Sequence, residues 1–410
     1  MAHKFARNAA SGPGPQKLRI PFIRPNPPPL STISGLLAEI ERSGVYSNYG
    51  PVNERLENQL TRDIFGGVGA CVTVSNATLG LMLAIKQAVG WRPRGRYALM
   101  PSFTFAAAAQ AALWCGLTPL LCDIDAETWL PSADAEEALL RQYGTEIAVI
   151  VTNATFGNCL DMAHYDRLSA WWGIPVVIDA AASLGSLDGR GIPFGKGSAH
   201  PLVFSMHATK AFATAEAGMV YSSDPALIAQ IRAMGNFGFG EPRSATMPGL
   251  NSKLSEVGAL LGLLKLRDIE KIARHRNACF EKYRARLPDI TFQHMTGQRV
   301  AHQFVALLVP GDAADDVTAL MAKLAGRGIG TGRYFVPHLA EQPFFQQACV
   351  AGDLTVTEAL SRRIIALPMS DFLTEDDIEE VCEEFRSLCQ PSTMRSMHAP
   401  PGLATQGLSA

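Results

Sequence analysis

The chain has 410 residues, of which 47% are hydrophobic and 18% charged, and its formal net charge is −2. That length permits one large domain and a smaller one, each with a buried core. The near-neutral charge leaves no basic surface that could neutralise a nucleic-acid backbone or an anionic membrane. No apolar run approaches the roughly 20 residues of a membrane span, and Pro and Gly stand where a signal peptide would have its apolar region. We therefore expect a soluble, cytoplasmic protein whose ligands are small molecules.

Eight cysteines and nine histidines are scattered along the chain. No two cysteines form a C-x-x-C pair, and most lie in apolar segments, which is typical of reduced thiols in a core. The histidines show neither H-E-x-x-H nor clustered spacing, so we expect no metal site.

Short apolar runs alternate with helix-length amphipathic stretches over the first 250 residues. The pattern predicts helices at 79–89, 105–114, 133–142 and 161–172, and strands at 71–74, 97–100, 119–122, 147–151, 175–178, 203–205 and 218–221. Such alternation is typical of βαβ units around a mainly parallel sheet.

The pattern changes after residue 250. A long helical stretch is predicted over 252–287, then a strand at 303–308 and helices at 315–325 and 374–387. We therefore predict four segments, which are an irregular Pro-rich arm at 1–30, a large α/β domain at 31–250, a smaller α+β domain at 251–390 and a disordered tail at 391–410.

Two charged residues follow neighbouring apolar strands in this pattern. Asp179 ends the strand predicted at 175–178, and Lys210 follows the strand at 203–205 through small and hydroxyl residues. Alone, the aspartate would be a turn or helix-cap residue and the lysine a solvent-exposed charge. Ligands of an open parallel sheet bind beyond the carboxyl ends of its strands, so the two together predict a pyridoxal-phosphate site. Asp179 would keep the pyridine nitrogen protonated, while Lys210 would bind the cofactor covalently and transfer the proton.

A phosphate site is the third requirement of that cofactor. The run Val74-Ser75-Asn76-Ala77-Thr78 leads from a predicted strand into a helix, and the N–H groups of a helix N-terminus bind dianions. An ordinary Ser/Thr helix cap explains the same run. Ser205 could add its hydroxyl to the phosphate. Phe105 could stack on the cofactor ring, although core packing also accounts for a phenylalanine.

Several motifs in this order resemble those of the DegT/StrS sugar aminotransferase family. The segment Phe204-Ser205-Met206-His207-Ala208-Thr209-Lys210, followed by Ala215-Glu216-Ala217-Gly218-Met219-Val220, is similar to the family's lysine motif. The other matches are Gly50-Pro51, 74–78, 101–105, Asp123-Ile124-Asp125, Asp179-Ala180-Ala181, 249–256 and Leu367-Pro368. The resemblance covers roughly residues 20–390, and its strength lies in the shared order of the motifs.

The resemblance implies an α/β, aspartate-aminotransferase-like fold, which is PLP fold type I. This fold has a large domain with a mainly parallel seven-stranded sheet between helices, and a smaller C-terminal α+β domain. By position, Lys210 would bind pyridoxal 5'-phosphate and Asp179 would face its pyridine nitrogen. Ala77, Thr78 and Ser205 would hold the phosphate.

The resemblance also implies a homodimer whose active sites lie at the subunit interface. Phe105 would stack on the cofactor ring, and Asn251 would reach the phosphate from the other subunit. A helix cap for the long helix at 252–287 is the alternative role for Asn251, and both roles could hold. Arg333 and Tyr334 resemble the segment that lies near the sugar substrate.

Four positions depart from the family pattern. Ala182 stands where Gln or His contacts the ring hydroxyl of the cofactor, and Ala154 where His is common. Ala77 and Ala217 each replace a glycine. An alanine side chain cannot donate a hydrogen bond, so Ala182 bears on the tilt of the cofactor and on substrate choice.

The resemblance implies transfer of an amino group from an amino acid, as in the family L-glutamate, to a nucleotide-linked keto-deoxysugar in aminosugar or polysaccharide biosynthesis. One alternative is a sugar dehydratase of the same fold, but such relatives carry histidine in place of the lysine. Another is a cofactor-binding regulatory protein. The near-neutral charge and the absence of an added DNA-binding module weigh against that role.

Overall fold

The computed structural model describes residues 18–389, so the tail predicted at 391–410 lies outside the described residues. The large α/β part contains helices and strands in alternation. In chain order they are α1 (Ser34–Ser43), α2 (Pro51–Phe65), β1 (Ala70–Val74), α3 (Ala77–Val89), β2 (Tyr97–Pro101), α4 (Ala106–Trp114), β3 (Thr118–Cys122), α5 (Ala133–Tyr143), β4 (Ile147–Asn153), α6 (Met162–Trp172), β5 (Val176–Asp179), β6 (Leu202–Ser205), β7 (Gly218–Ser222) and α7 (Pro225–Met234).

The C-terminal part begins with a short hairpin and continues with two long helices. Its elements are β8 (Phe239–Gly240), β9 (Ser244–Ala245), α8 (Glu256–Leu266), α9 (Ile269–Arg286), β10 (Thr291–Phe292), β11 (Val305–Leu308), α10 (Val317–Gly326), α11 (Phe345–Ala348), β12 (Val350–Ala351), α12 (Thr355–Arg363), β13 (Ile364–Leu367) and α13 (Glu375–Cys389).

Eight strands form the main sheet, in the order β1-β7-β6-β5-β4-β2-β3-β12. β7 runs antiparallel to both neighbours, and the other pairs are parallel. The prediction of a mainly parallel sheet is confirmed, but the count of seven strands was one too low. The eighth strand is β12, whose two residues pair with Leu120 and Leu121 of β3. A strand of two residues is too short to show the alternating pattern by which strands are recognised in a sequence.

The carboxyl ends of the central strands share one edge of the sheet. β2, β4, β5 and β6 are buried along their whole length, as expected for parallel strands covered by helices on both faces. β1 points the same way as β6, because both are antiparallel to β7. At this edge Gly218, the first residue of β7, pairs with Val74 of β1 on one side and with Ser205 of β6 on the other.

The helical stretch predicted over 252–287 is in fact two helices. Ser255 caps α8 by accepting a hydrogen bond from the N–H of Gly258 at 3.1 Å. α8 ends at Leu266 and α9 begins at Ile269, and the two helices pack against α2 and α13 respectively. The prediction missed this break because neither Gly nor Pro marks it in the sequence.

A second, antiparallel sheet in the order β10-β11-β13 lies in the C-terminal part. Its core includes Phe280, Leu307 and Phe385, and also Phe103 and Phe156 from the segments that follow β2 and β4. The two parts therefore share a core, and β12 joins the main sheet. The domain boundary near residue 250 stays a prediction.

Two buried polar contacts dock the C-terminal part onto the strand ends. Asp123, next after β3, accepts hydrogen bonds from the N–H groups of Val356 and Thr357, both at 2.8 Å. These N–H groups belong to the first turn of α12, so Asp123 acts as a cap supplied from another element. Ser102, next after β2, has its Oγ 2.8 Å from Nδ1 of His338.

A buried ion-pair cluster joins α8, α9 and the N-terminal arm. Asp371 lies 2.6 Å from Nε of Arg276 and 3.3 Å from Nζ of Lys265, and the three side chains are 6%, 3% and 3% exposed. Asn26 of the arm donates to Asp371 at 2.7 Å and accepts from Lys265 Nζ at 2.7 Å. Removing one member of such a buried cluster would leave a charge unpaired, which typically costs about 3–5 kcal/mol.

Within residues 18–389, no helix is both long and apolar enough to cross a membrane. The same region contains no group of three or more His, Cys, Asp or Glu side chains arranged to hold a metal ion. The eight cysteines are free thiols, and six of them are buried.

Candidate active site

Asp179 closes β5 at the shared strand edge and is 4% exposed. Its Oδ1 accepts a hydrogen bond from the N–H of Ala181 at 3.0 Å. Burial raises the pKa of this carboxyl, while the Ala181 N–H and the charge of Lys210 act in the opposite direction. Among the described residues, no protein group donates to Oδ2. The role in a turn that we considered for Asp179 therefore occupies Oδ1 and leaves Oδ2 available to a ligand.

Lys210 lies in a loop after β6 that folds back on itself. Its N–H donates to the carbonyl of His207 at 2.9 Å, and the N–H of Ala208 donates to the carbonyl of Ala215 at 3.0 Å. Burial lowers the pKa of the Lys210 amine to about 8, and the charge of Asp179 partly offsets that effect. Part of this amine is therefore neutral near pH 7, and the neutral form is the nucleophile.

Gln303 is a site residue that the sequence reasoning missed. Its Oε1 accepts a hydrogen bond from Nζ of Lys210 at 2.8 Å, and the residue is 8% exposed. Gln303 lies two residues before β11, in the C-terminal part, so the contact spans 93 positions of the chain. No local motif signals such a contact.

The predicted phosphate turn lies beside Ser205, as the pairing of Gly218 with Val74 and Ser205 requires. Asn76 caps α3 by accepting from the N–H of Leu79 at 3.0 Å. Ala77 and Thr78 form the first turn of α3, where N–H groups have no acceptor within the helix. The Ser205 hydroxyl oxygen accepts from the N–H of His207 at 3.3 Å, so its hydrogen remains free to donate. The helix cap by Asn76 therefore leaves the N–H groups of Ala77 and Thr78 available to an anion.

Gly218 is the residue that lets β7 approach this turn. A Cβ at this position would lie 2.8 Å from the backbone nitrogen of Ala77 and 3.0 Å from the carbonyl oxygen of Phe204. Any larger residue would push the first turn of α3 away from the strand ends.

Phe105 is the N-cap residue of α4 and is 58% exposed. Its ring centroid lies 6.4 Å from that of Phe335, which in turn lies 5.1 Å from Phe156. Phe156 lies 4.8 Å from Phe304, the neighbour of Gln303. The exposed face of Phe105 is consistent with stacking on a ligand, and this role stays a prediction.

Of the four alanines that depart from the family pattern, Ala154 contacts Asp179 and Ala182 follows Asp179 by three residues. The N–H of Ala154 donates to the Asp179 carbonyl at 2.9 Å. Ala182 is partly exposed, and its carbonyl oxygen would lie 2.9 Å from a Cβ placed on Gly157. Neither alanine offers a polar side-chain atom, so these two side chains supply shape rather than hydrogen bonds.

Asn251 is exposed and precedes α8, and Ser255 rather than Asn251 caps that helix. The helix-cap alternative for Asn251 is therefore wrong. Its backbone pairs with Asn236 in an isolated antiparallel bridge. The role in the second subunit's site stays a prediction.

Arg333 and Tyr334 are both partly engaged within the protein. The Arg333 guanidinium donates to the carbonyls of Ser361 and Arg362 at 2.6 and 3.2 Å, at the end of α12. The Tyr334 ring stacks on Phe304 at 5.1 Å. Arg333 therefore fixes this loop in place, and a contact of either residue with a sugar stays a prediction.

These groups fit pyridoxal phosphate at three points. A carboxylate with one uncommitted oxygen suits the pyridine nitrogen, and an amine with a lowered pKa suits the aldehyde carbon. The first turn of α3 and the Ser205 hydroxyl suit the phosphate, in a cradle that a Cβ on Gly218 would fill. The fold and the site together define a pyridoxal-phosphate-dependent enzyme of fold type I.

Comparison with known proteins identifies the family. Residues 31–386 match the DegT/DnrJ/EryC1/StrS aminotransferase family, and the chain belongs to it. Protein Rv3402c of Mycobacterium tuberculosis is 34% identical over 369 residues, which is 88% of each chain. The dTDP-4-amino-4,6-dideoxy-D-glucose transaminase of Shigella dysenteriae is 28% identical, over 89% of this chain and 98% of that one.

A solved structure gives the same result. A Bacillus cereus protein named as a PLP-dependent aminotransferase has a TM-score of 0.84 and 34% identity, covering 90% of this chain and 99% of the other. The predicted family, fold class and cofactor are confirmed. The protein is a pyridoxal-phosphate-dependent aminotransferase.

Replacing Gly218 with alanine should weaken cofactor binding, because the new Cβ displaces the first turn of α3. Loss of one hydrogen bond to a charged phosphate costs about 1.5–3 kcal/mol, which corresponds to roughly a tenfold to hundredfold rise in Kd. Absorbance titration of the cofactor-free protein with pyridoxal phosphate measures the change. Gly35→Ala is the matched control, because its Cβ would meet nothing within 4 Å. Wild-type affinity in Gly218→Ala would contradict the cradle.

Proposed function

We propose that the enzyme transfers an amino group from an amino acid, L-glutamate, to the keto carbon of a nucleotide-linked deoxysugar. The observation that carries this proposal is the Lys210 amine, with its lowered pKa, beside the buried Asp179 at the carboxyl edge of the sheet. The relative from Shigella dysenteriae, named as a transaminase of a dTDP-linked sugar, supports the substrate class.

The cofactor, when bound, supplies an electron sink that stabilises the negative charge left when a C–H bond next to nitrogen breaks. Asp179 would hold the pyridine nitrogen protonated through Oδ2. Ala77, Thr78 and Ser205 would bind the phosphate, and Phe105 would stack on the ring. Lys210 would bind the cofactor between turnovers.

Lys210 would also move the proton. Its neutral Nζ would accept a proton from one carbon, and the resulting ammonium group would donate that proton to a second carbon. With a pKa of about 8, Nζ is protonated below that pH and neutral above it, so both forms are present near neutral pH. The low pKa comes from burial, which disfavours the charged form of an amine.

Dehydration of the sugar is the competing reaction on this fold. Lys210 favours transamination, because the related dehydratases implied by the sequence resemblance carry histidine there. Membership of an aminotransferase family likewise favours an enzyme over a regulatory protein.

A panel of nucleotide-linked keto-sugars, each incubated with L-glutamate and pyridoxal phosphate, tests the reaction. We expect 2-oxoglutarate in amounts equal to the amino sugar formed. Lys210→Arg should lower the rate by at least about a thousandfold, since the guanidinium stays charged and cannot accept the proton. Lys271→Arg, at an exposed position, is the control. Turnover of a keto-sugar without any amino donor would instead show dehydration.

The active site would be shared between two subunits. Asn251 is exposed at the shared strand edge, where the backbone N–H of Ser75 donates to the carbonyl of the neighbouring Ser252 at 2.6 Å. Phe237, in the loop that pairs with this segment, is 45% exposed. Tyr46, whose carbonyl accepts a hydrogen bond from the N–H of Glu256, is 58% exposed. Exposed aromatic residues therefore adjoin both ends of the segment that carries Asn251, which supports a protein partner at this surface. We propose that the partner is a second copy of the chain.

Mixing two inactive variants tests the shared site. If Asn251 acts across the interface, a dimer of one Lys210→Ala and one Asn251→Ala subunit has one site with both changes and one intact site. Random pairing in a C2 dimer should then restore about a quarter of wild-type activity after the variants are unfolded and refolded together. Mixing Lys210→Ala with Asp179→Ala is the control and should restore nothing, because both residues come from one subunit. No recovery in the first mixture would contradict the shared site.

A further inference from the structure

Gln303 contacts the predicted cofactor lysine but has no role in the function proposed above. It comes from the C-terminal part, whereas Lys210 and Asp179 come from the main sheet. Its side-chain oxygen lies 2.8 Å from Lys210 Nζ, and an amide oxygen accepts hydrogen bonds whether the amine is charged or neutral.

The segment that carries Gln303 is fixed from three directions. The N–H of Val300 donates to Asn277 of α9 at 3.1 Å, and the N–H of Ala301 donates to the Ser186 hydroxyl at 3.1 Å. The carbonyl of His302 accepts from Arg276 Nη1 at 2.9 Å. These three bonds hold the backbone immediately before Gln303.

The residues of the third bond, Arg276 and His302, are themselves held in place. Arg276 is held by the buried carboxylate of Asp371 at 2.6 Å. The ring of His302 stacks on Phe280 with centroids 4.0 Å apart. A side chain on so constrained a segment presents its oxygen at a fixed point, which is what positioning another group requires.

We propose that Gln303 is a positioning residue that holds the Lys210 amine whenever that amine is not bound to the cofactor. By accepting a hydrogen bond from Nζ, Gln303 keeps the amine near the end of β5 instead of letting it turn to solvent. The same bond favours the protonated amine, because hydrogen bonds from a charged donor are about twice as strong as those from a neutral one. In the part of the chain that the structure describes, Asp179 is the charged group that acts on Lys210.

The proposal rests on Lys210 being the cofactor lysine, but its test needs neither a sugar nor an amino donor. The cofactor-free protein is treated with trinitrobenzenesulfonate, which reacts with neutral amines. The rate of labelling at Lys210, measured by peptide mass mapping between pH 6 and 10, then gives the pKa of this one amine.

Three variants separate positioning from packing. Gln303→Met keeps the size but removes the acceptor. The midpoint of the labelling curve, which is the pKa of Lys210, should therefore fall by about one pH unit. Gln303→Glu places a carboxylate on Nζ, so the midpoint should rise by about one unit or more. Gln298→Met, at an exposed position in the same segment, should leave the midpoint unchanged.

If Gln303 had a merely structural role, removing its acceptor in Gln303→Met would leave the midpoint for Lys210 unchanged, and that result would overturn the proposal. Gln303→Glu shows that a group at position 303 reaches Nζ, because its charge then raises the midpoint. If Gln303→Met fails to fold, Gln303→Leu takes its place, because it also removes the acceptor and is close in size. The activity of the loaded enzyme on nucleotide sugars is not used, so a failed positioning role and a failed substrate assignment are distinguishable.

Discussion

The rest of the site depends on two opposite charges, the buried Asp179 and the partly buried Lys210, that act on each other at the strand edge. Asp179 and Lys210 both lose solvation at the strand edge, and burial disfavours the charged form of each. The Ala181 N–H and the mutual attraction of the pair only partly offset this effect. A ligand with a protonated ring nitrogen and an aldehyde satisfies both groups at once. Without a ligand, the attraction between the two charges only partly offsets their loss of solvation, so binding a cofactor would stabilise the pair.

The C-terminal part completes this arrangement from outside the sheet. Asp123 and Ser102, at the ends of β3 and β2, hold α12 and the segment of His338 against the strand edge. The Asp371 cluster fixes the segment that leads to Gln303. Asp123, which belongs to a motif that resembles the family's, therefore holds the C-terminal part against the main sheet. Gln303 therefore reaches Lys210 only when the two parts of the chain are packed together.

The sequence predicted the features that local patterns encode. Apolar strands ending on Asp179 and before Lys210 share an edge in any parallel sheet, so the pattern indicated this pair and the turn at 74–78 as candidates, and the family resemblance implied the role of each residue. Other features depend on contacts between distant segments. Gln303, strand β12 and the attachment of Arg333 to the end of α12 leave no periodic signal, and the break between α8 and α9 has no Gly or Pro to mark it.

Borohydride reduction of the enzyme loaded with pyridoxal phosphate, followed by peptide mass mapping, tests the central claim most directly. Reduction makes the bond between the cofactor and its lysine permanent, so the mass of the cofactor marks one peptide. We predict that the marked peptide contains Lys210 and that Lys210→Arg protein carries no mark. A mark on a different lysine, or none in the wild-type protein, would contradict the account.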